Sequence, residues 1–311
     1  MPTLYHDRIA RMNNLAKTAA RFALASVVAG IATRYAKAFF TGAKKMAQAA
    51  PPAEEAVAIS YPTMFGKASI YTIRQDEHTG AESRATDQAQ EGLTWIRVLE
   101  IDGAYQAATY IDDDRVYDLA FDYYRMYDHL FEMTGTSREI NLLMLGGGGY
   151  AYPKHIVAHH PEARIDVVEI DPDITLLAER YFFLDRLIEE FDTEKNGRLG
   201  LINDDALHFL KTSDAHYDAI LNDTFAGKNP VGELVTVEAL RLSKKHLAPG
   251  GVYLANVISA LEGPKSAPLQ HAIAALSEVF EHVSVIPCGK YPANETDNYM
   301  VIATDSDLAN R

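Results

Sequence analysis

Three acidic side chains stand at the carboxyl ends of successive predicted β-strands in the second half of the sequence. Glu169 ends one strand, Asp205 follows the next, and Asp223 ends the third. Ligands of an open α/β sheet bind at the carboxyl ends of its parallel strands, so we expect these carboxylates to meet in one cleft. A carboxylate there can accept hydrogen bonds from a ribose or an adenine amino group, act as a base, or bind a cation.

Four consecutive glycines, 146–149, directly follow the apolar run 140–145. A continuous apolar run is typical of a strand that is buried on both faces. Glycines after such a strand let the backbone turn tightly and approach a nucleotide closely. Glu169 lies about twenty residues further along, where a dinucleotide-binding fold places an acid that binds the ribose. The pattern therefore predicts a nucleotide site built from the glycine run and Glu169.

The elements that must position these residues alternate between strand and helix from residue 140 onward. This alternation predicts an α/β fold with a doubly wound, Rossmann-like sheet of the methyltransferase type. The predicted strands of this sheet are 140–145, 165–169, 200–203, 217–223 and 252–257, followed by an antiparallel pair at 283–287 and 298–303. A β-rich segment precedes the sheet, with predicted strands at 67–73, 93–101 and 104–111 and a helix at 115–133. We therefore predict a small N-terminal β domain over residues 59–133 and a nucleotide-binding domain over residues 134–311.

The composition is that of a folded protein with an acidic body. The chain has 311 residues, of which 48% are hydrophobic and 23% charged, and its formal net charge is −14. Residues 1–50 carry eight Lys and Arg against one acid, so the remainder carries a net charge of −21. An acidic body argues against nucleic acid as a partner and suits a cationic small molecule.

Residues 1–58 are predicted to form a basic helical extension and a proline-containing linker. Their longest apolar run, 22–32, has eleven residues, whereas a membrane-spanning helix needs about twenty. We expect the extension to lie on a membrane surface or on another subunit, or to be a poorly packed helix, in a cytoplasmic protein. An export signal is a further alternative, although its basic segment would be unusually long.

Five segments carry a resemblance to a known family. They read LEIDGAYQ at 99–106, LLMLGGG at 142–148, VEID at 168–171, DDALHFL at 204–210 and YDAILNDT at 217–224. Together they resemble the motifs of the polyamine aminopropyltransferases, of which spermidine synthase is the best-known member. The resemblance covers residues from about 60 to about 305. Members of this family often dimerise or tetramerise, so the resemblance also implies a homo-oligomer.

The resemblance implies a role for each matching residue. Asp223 would be the catalytic acid/base, Glu169 would bind the ribose, and Asp205 would lie near the adenine. The other implied site residues are Gln106, Gly146, Gly148 and Gly149 for the donor, and Tyr117 and Tyr291 for the substrate.

The implied reaction transfers an aminopropyl group from decarboxylated S-adenosylmethionine to a small amine such as putrescine. The donor is a co-substrate, and no tightly bound cofactor is expected. A neutral amine attacks the carbon beside the sulfonium, and methylthioadenosine leaves. Because amines are protonated at neutral pH, the acceptor must first lose a proton, which a strand-end Asp can accept.

The sequence departs from the family pattern at positions that contact amines. The usual Asp after the third glycine is replaced by Gly149, and a second Asp of the catalytic strand is replaced by Ala226. The His and Glu that usually follow the small-domain tyrosine are replaced by Asp118 and Leu119. An Asp at position 149 would repel the carboxylate of ordinary S-adenosylmethionine, whereas Gly149 would not. A methyltransferase of the same fold that uses S-adenosylmethionine is therefore an alternative, as are a non-catalytic binding protein and an NAD-linked oxidoreductase.

Other side chains could do chemistry, but their patterns favour structural roles. His155 and His159 are four residues apart on a predicted helix, with His160 beside them, and that spacing can bind a metal. No acidic residue or cysteine lies at motif distance, so we predict a solvated helix face and no metal site. The single cysteine, Cys288, is predicted to be a small core residue. The aromatic residues predicted to pack in the core are Phe121, Tyr123, Tyr124 and Tyr127.

Overall fold

The computed structural model describes residues 58–76, 93–134, 139–226, 229–230, 232–289 and 291–306. Residues 1–57 of the predicted basic extension and linker lie outside these ranges. The contacts predicted for them, with a membrane or a second subunit, therefore stay predictions. Within the described ranges, no helix combines the length and the hydropathy that crossing a membrane requires.

An antiparallel sheet of four strands is formed by the described residues between 58 and 110. Its strands, in chain order and in spatial order, are β1 (Ala58–Thr63), β2 (Gly66–Asp76), β3 (Leu93–Ile101) and β4 (Ala104–Tyr110). A tight turn at Asp102 and Gly103 joins β3 to β4, with φ values of 49° and 77°. An Asp-Gly pair accommodates this left-handed backbone, which is why the sequence pattern located the turn.

A larger mixed sheet contains seven strands of the described residues. They are β5 (Ile140–Leu145), β6 (Ala163–Glu169), β7 (Leu199–Asn203), β8 (Tyr217–Asn222), and, after the short pair β9 (Phe225–Ala226) and β10 (Asn229–Pro230), β11 (Leu247–Ser259), β12 (His282–Pro287) and β13 (Asp297–Thr304). The spatial order is β12-β13-β11-β8-β5-β6-β7. The five strands from β11 to β7 are parallel, and β13 runs antiparallel between β11 and β12. The predicted doubly wound α/β fold is confirmed.

Helices cover both faces of this sheet. They are α1 (His129–Thr134), α2 (Ala151–His159), α3 (Pro172–Tyr181), α4 (Leu184–Glu190), α5 (Thr193–Asn196), α6 (Ala206–Thr212), α7 (Val237–Lys245) and α8 (Ala267–Ser277). Alternate residues of β5 face two parts of the core. Leu142 and Met144 pack with α2, α3, α4 and the small sheet, whereas Leu143 and Leu145 pack with α6, α7 and α8. Burial on both faces explains why β5 is a continuous apolar run.

The segment 115–133, predicted as one helix, is instead a series of turns, a 3-10 helix and the short α1. The 3-10 helix is Asp122–Asp128, and we call it the tyrosine helix. Arg115 and Asp118 donate through their backbone N–H groups to the carbonyl oxygens of Asp112 and Arg115, which closes successive turns. In the tyrosine helix, side chains three residues apart lie on one side, so the buried tyrosines at 124 and 127 both enter the core.

Lys154, on α2, is buried between the two sheets. Its Nζ donates to Thr109 Oγ1 at 3.1 Å and to the carbonyl oxygens of Val116, at 3.3 Å, and of Phe182. Burial lowers the pKa of this amine from 10.5 to about 7, and the nearby Arg97 acts in the same direction. The lysine therefore fastens the small sheet to α2 through hydrogen bonds to neutral acceptors.

Replacing Lys154 with Met should change how stability depends on pH. Because the pKa is about 7 in the folded chain and 10.5 ordinarily, between these values the unfolded state binds more protons. The free energy of unfolding of the wild type should therefore rise with pH from 7 to 10, by up to about 1.4 kcal/mol per pH unit relative to Lys154→Met. Urea unfolding at pH 7, 8 and 9 measures this difference. The exposed Lys211→Met variant should keep the wild-type slope; equal slopes for Lys154→Met and wild type would contradict the lowered pKa.

Candidate active site

The carboxyl ends of β5 and β8 adjoin where the strand order of the large sheet reverses. The chain enters the sheet at β5, adds β6 and β7 on one side, and then places β8 on the other. Leu145 pairs in register with Asn222, and the backbone N–H of Asp223 donates to the Leu145 carbonyl oxygen at 3.0 Å. Open α/β sheets bind their ligands at such a switch point, so this is the candidate active site.

Gly146 brings the glycine loop against the backbone of Asp223. Its φ is +91°, and a Cβ at this position would lie 2.6 Å from the Asp223 carbonyl oxygen. Any side chain here would strain the backbone and push the ends of β5 and β8 apart. The glycine predicted from the sequence is thus required both for its conformation and for the close approach.

Glu169, buried at the end of β6, holds the rest of the loop. Its Oε2 accepts from the backbone N–H groups of Gly147 at 2.8 Å and Gly148 at 3.3 Å, and its Oε1 accepts from Asp171 at 2.9 Å. Burial raises the pKa of this carboxyl, and the three N–H donors oppose the rise. Three of the roughly four acceptor positions of the carboxylate are therefore used. Glu169 has capacity for about one ribose hydroxyl, and its ribose-binding role stays a prediction.

Asp205 lies at the end of the neighbouring strand and caps α6. Its Oδ1 accepts from the His208 backbone N–H at 2.8 Å, and the residue is exposed. The side-chain amide of Asn203 donates to the Glu169 carbonyl oxygen at 2.9 Å, which ties the ends of β6 and β7 together. The helix-capping bond occupies one oxygen of Asp205, and its predicted contact with adenine is not tested by this geometry.

Asp223 is only partly exposed, and two side chains hydrogen-bond its carboxylate. Asn256 donates through Nδ2 to Oδ1 at 2.9 Å, and the Tyr123 hydroxyl donates to Oδ2 at 3.2 Å. Asn298 in turn donates to Asn256 Oδ1 at 2.9 Å, which fixes the orientation of that amide. Burial raises the pKa of Asp223 to about 6, although the bonds from Asn256 and Tyr123 oppose the rise. The group is ionised at neutral pH, yet it is a stronger base than an ordinary carboxylate.

Sequence reasoning missed Tyr123 and Asn256 as site residues. Tyr124 and Tyr127 are buried in the core as predicted, and Tyr127 donates to the Asn222 carbonyl oxygen at 3.1 Å. Tyr123 stacks on Tyr124 with ring centroids 4.1 Å apart, but its hydroxyl reaches Asp223. A signal did exist for Asn256, because it interrupts the buried apolar run of β11.

The small sheet meets the glycine loop at β4. A Cβ on Gly148, whose φ is +50°, would lie 3.6 Å from the Gln106 carbonyl oxygen. A Cβ on Gly149 would lie 2.6 Å from the Ala107 Cβ and 3.1 Å from the Phe182 ring. Ala107 and Phe182 thus fill the space that a side chain at position 149 would need. Gln106 lies beside the loop, and its predicted contact with the donor stays a prediction.

The two tyrosines predicted on the substrate side lie in different surroundings. The Tyr117 hydroxyl donates to Glu190 Oε2 at 2.8 Å, and its ring packs edge-on against Phe191. Tyr291 is 63% exposed in the loop between β12 and β13. Among the contacts of the described residues, neither tyrosine touches Asp223, and their predicted substrate contacts stay predictions.

The histidines of α2 are not the solvated face that the sequence predicts. His159 is exposed, but His155 and His160 are partly buried, and Nδ1 of His155 is buried with no hydrogen-bond partner among the described residues. Folding brings Asp128 of the tyrosine helix beside them, a neighbour too distant in sequence to be read as a motif. Cys288, by contrast, packs against the core as predicted, and burial raises the pKa of its thiol to about 12.

Comparison with known proteins gives a family and a fold. Residues 120–305 match the family model described as the spermine/spermidine synthase domain. The crystal structure of a probable spermidine synthase from Corynebacterium glutamicum ATCC 13032 has a TM-score of 0.61 and 23% sequence identity, and it covers 82% of this chain and 83% of that one. That structure therefore has the same fold.

Two curated relatives differ in the activity that their names state. A polyamine aminopropyltransferase from Vibrio vulnificus (strain CMCP6) is 33% identical over 150 residues, which cover 47% of this chain and 46% of that protein. An eEF1A lysine and N-terminal methyltransferase homolog from Drosophila pseudoobscura pseudoobscura is 30% identical over 155 residues, which cover 47% of this chain and 21% of that protein. The chain thus spans less than half the length of these relatives.

Removing the amide of Asn256 should raise the pKa of Asp223 further. The Asn256 bond stabilises the carboxylate, so in Asn256→Ala we expect a pKa above the wild-type value of about 6, by roughly one pH unit. Titration of the Asp carboxyl carbons by NMR measures the shift. Tyr217→Phe, which loses a hydroxyl bonded to Asp166 at the other end of β8, is the matched control. A pKa of Asp223 that stayed constant or fell in Asn256→Ala would show that this bond does not stabilise the ionised form.

Proposed function

Because the chain belongs to the spermine/spermidine synthase family, we propose that it is a transferase that moves an aminopropyl group from decarboxylated S-adenosylmethionine to a small amine such as putrescine. The observation that carries the proposal is Asp223. It is a partly exposed carboxylate at the switch point of the sheet, and its pKa is raised to about 6.

The reaction needs a base and an electrostatic partner for the amine. The acceptor arrives as an ammonium ion and transfers a proton to Asp223, and the neutral nitrogen then attacks the carbon beside the sulfonium. The new C–N bond forms as the C–S bond breaks, and the electron pair of the C–S bond stays on the sulfur of the departing methylthioadenosine. A carboxylate with a pKa near 6 accepts the proton more readily than an ordinary Asp with a pKa of about 3.9.

The nucleoside part of the donor would lie along the ends of β5, β6 and β7. In this proposal Glu169 accepts a ribose hydroxyl with its remaining capacity, and Asp205 faces the adenine. The glycine loop, with Gly146, Gly148 and Gly149, and Gln106 of β4 would enclose the donor between the two sheets. Tyr117 and Tyr291 would serve the acceptor side, and the predicted homo-oligomer is part of the same proposal.

A second candidate function, methyl transfer from S-adenosylmethionine, is favoured by Gly149. Ordinary S-adenosylmethionine carries a carboxylate that decarboxylated S-adenosylmethionine lacks. The backbone of Gly149 presents no negative charge to that carboxylate, and the packing of Ala107 and Phe182 leaves no space for an acidic side chain there. The similarity to the Drosophila methyltransferase homolog is consistent with this candidate.

Replacing Asp223 with Asn should remove transfer and spare nucleoside binding. Loss of a general base lowers kcat by about 10²–10⁴-fold, while the dissociation constant of methylthioadenosine should change by less than about threefold, equivalent to ~0.7 kcal/mol. Product formation by mass spectrometry and calorimetric titration with methylthioadenosine give the two numbers. Asp214→Asn, an exposed Asp just before the opposite end of β8, is the matched control. Unchanged turnover in Asp223→Asn would contradict the assignment of the base.

Donor preference should separate the two candidate functions. Calorimetric titration with decarboxylated S-adenosylmethionine and with S-adenosylmethionine should give tighter binding of the decarboxylated donor, by at least about tenfold, or ~1.4 kcal/mol. Asp205→Ala should weaken both donors and methylthioadenosine equally, because they share the adenosine. A preference for S-adenosylmethionine would instead support methyl transfer, and binding of neither donor would contradict both candidates.

A further inference from the structure

Three side chains that could ligate a metal ion meet at the end of α2 that lies away from the glycine loop. They are Asp128, the last residue of the tyrosine helix, His155 within α2, and His160 directly after it. One potential ligand atom from each lies within 4.8 Å of the others. The cluster is separate from the carboxylates of the candidate active site, and none of its members has a role in the proposed function.

His155 is the most informative member of this cluster. Its Nδ1 is buried and has no hydrogen-bond partner within the described part of the chain, which costs free energy unless another group binds the nitrogen. A buried imidazole nitrogen that lacks such a partner is a candidate ligand for a metal ion.

Outer contacts orient the other two side chains. Asp128 Oδ1 accepts from the Tyr152 hydroxyl at 3.0 Å. His160 Nδ1 lies 3.4 Å from Glu162 Oε1, and its ring stacks on Phe131 with centroids 4.1 Å apart. Hydrogen bonds to the second ring nitrogen and to the ligating carboxylate are the usual outer contacts of metal sites in proteins.

We propose that Asp128, His155 and His160 bind a Zn²⁺ ion that joins the tyrosine helix to α2. Two imidazoles and one carboxylate suit zinc, whereas Mg²⁺ and Ca²⁺ prefer oxygen ligands throughout. Zinc bonds of about 2.0–2.1 Å place tetrahedral ligands roughly 3.4 Å apart. Because the three ligand atoms already lie within 4.8 Å of one another, they need to approach by at most ~1.4 Å around the ion. Water fills the fourth position. His159 is not needed as a ligand, because its Nε2 faces Asp118 at 3.4 Å.

The position of the ion gives it a structural role. The tyrosine helix also carries Tyr123, which donates to Asp223, and Tyr127, which donates to the carbonyl oxygen of Asn222. The opposite end of α2 begins at the glycine loop. An ion between the two helices would therefore hold together the elements that position both sides of the switch point, without contacting the reacting atoms.

Metal titration of the full-length protein, prepared without a histidine tag and freed of metal by a chelator, tests the proposal. ZnCl2 should bind with a stoichiometry of one and a dissociation constant below about 1 µM. Binding should raise Tm by at least about 3 °C, because the ion binds only the folded state. Co²⁺ in place of Zn²⁺ should give the visible absorption bands of a tetrahedral site. Failure of the wild type to bind one equivalent, or binding without a rise in Tm, would overturn the proposal.

Three substitutions identify the ligands. Asp128→Asn and His155→Gln should each weaken zinc binding by at least about 100-fold, or ~2.7 kcal/mol, and abolish the cobalt bands, and His160→Gln should do the same. Tm in the presence of chelator confirms that each variant is folded; His155→Gln should be at least as stable as wild type there, since it removes a buried, unpartnered nitrogen. The exposed His282→Gln and His159→Gln variants should bind like wild type. Wild-type affinity in Asp128→Asn or His155→Gln would place the ion elsewhere and refute this site.

Discussion

The geometry of the candidate site depends on a single buried carboxylate. Glu169 accepts three backbone N–H groups, two from the glycine loop and one from Asp171. Those donors have no helical partner, because the loop precedes α2 and Asp171 caps α3. An acid at the end of β6 satisfies them together and thereby sets where the loop stands relative to β5. The close approach of Gly146 to Asp223 then follows, because no side chain separates the two strand ends.

The sequence allowed the large sheet and the turn residues to be predicted closely. β5 and β3 coincide with the predicted ranges, since a run buried on both faces is apolar throughout and a Gly-rich or Asp-Gly turn ends it sharply. The segment 115–133 was predicted wrongly as one helix, because its tyrosines repeat at a spacing compatible with an α-helix. What decides its form is tertiary contact: hydroxyl groups of the tyrosine helix bond to the end of β8, about a hundred residues away. No local pattern records such a partner.

Only some of the residues around Asp223 can be identified from local sequence patterns. Strand-end acids can be located by counting. Asn256 of β11 reaches Asp223, and Asn298 of β13 reaches Asn256, only because the sheet places those strands in register. The same limit applies to Gly149, because a Cβ at that position would lie 2.6 Å from the Cβ of Ala107 in the other sheet, a contact that no local pattern reveals. The two sheets therefore constrain one another, because Ala107 of the small sheet limits the side chain that position 149 can hold.

Lys154 adds a consequence for how opening of the molecule can be followed. The Lys154 amine is a target for acylation, and its hydrogen bond to Thr109 joins β4 to α2. In the closed molecule it is inaccessible, with 1% exposure. An acylating reagent can therefore reach it only when β4 separates from α2, and the acylation rate of this one lysine reports how often the cleft between the sheets opens. Lys154 is thus a built-in chemical probe for the separation of the small sheet from α2.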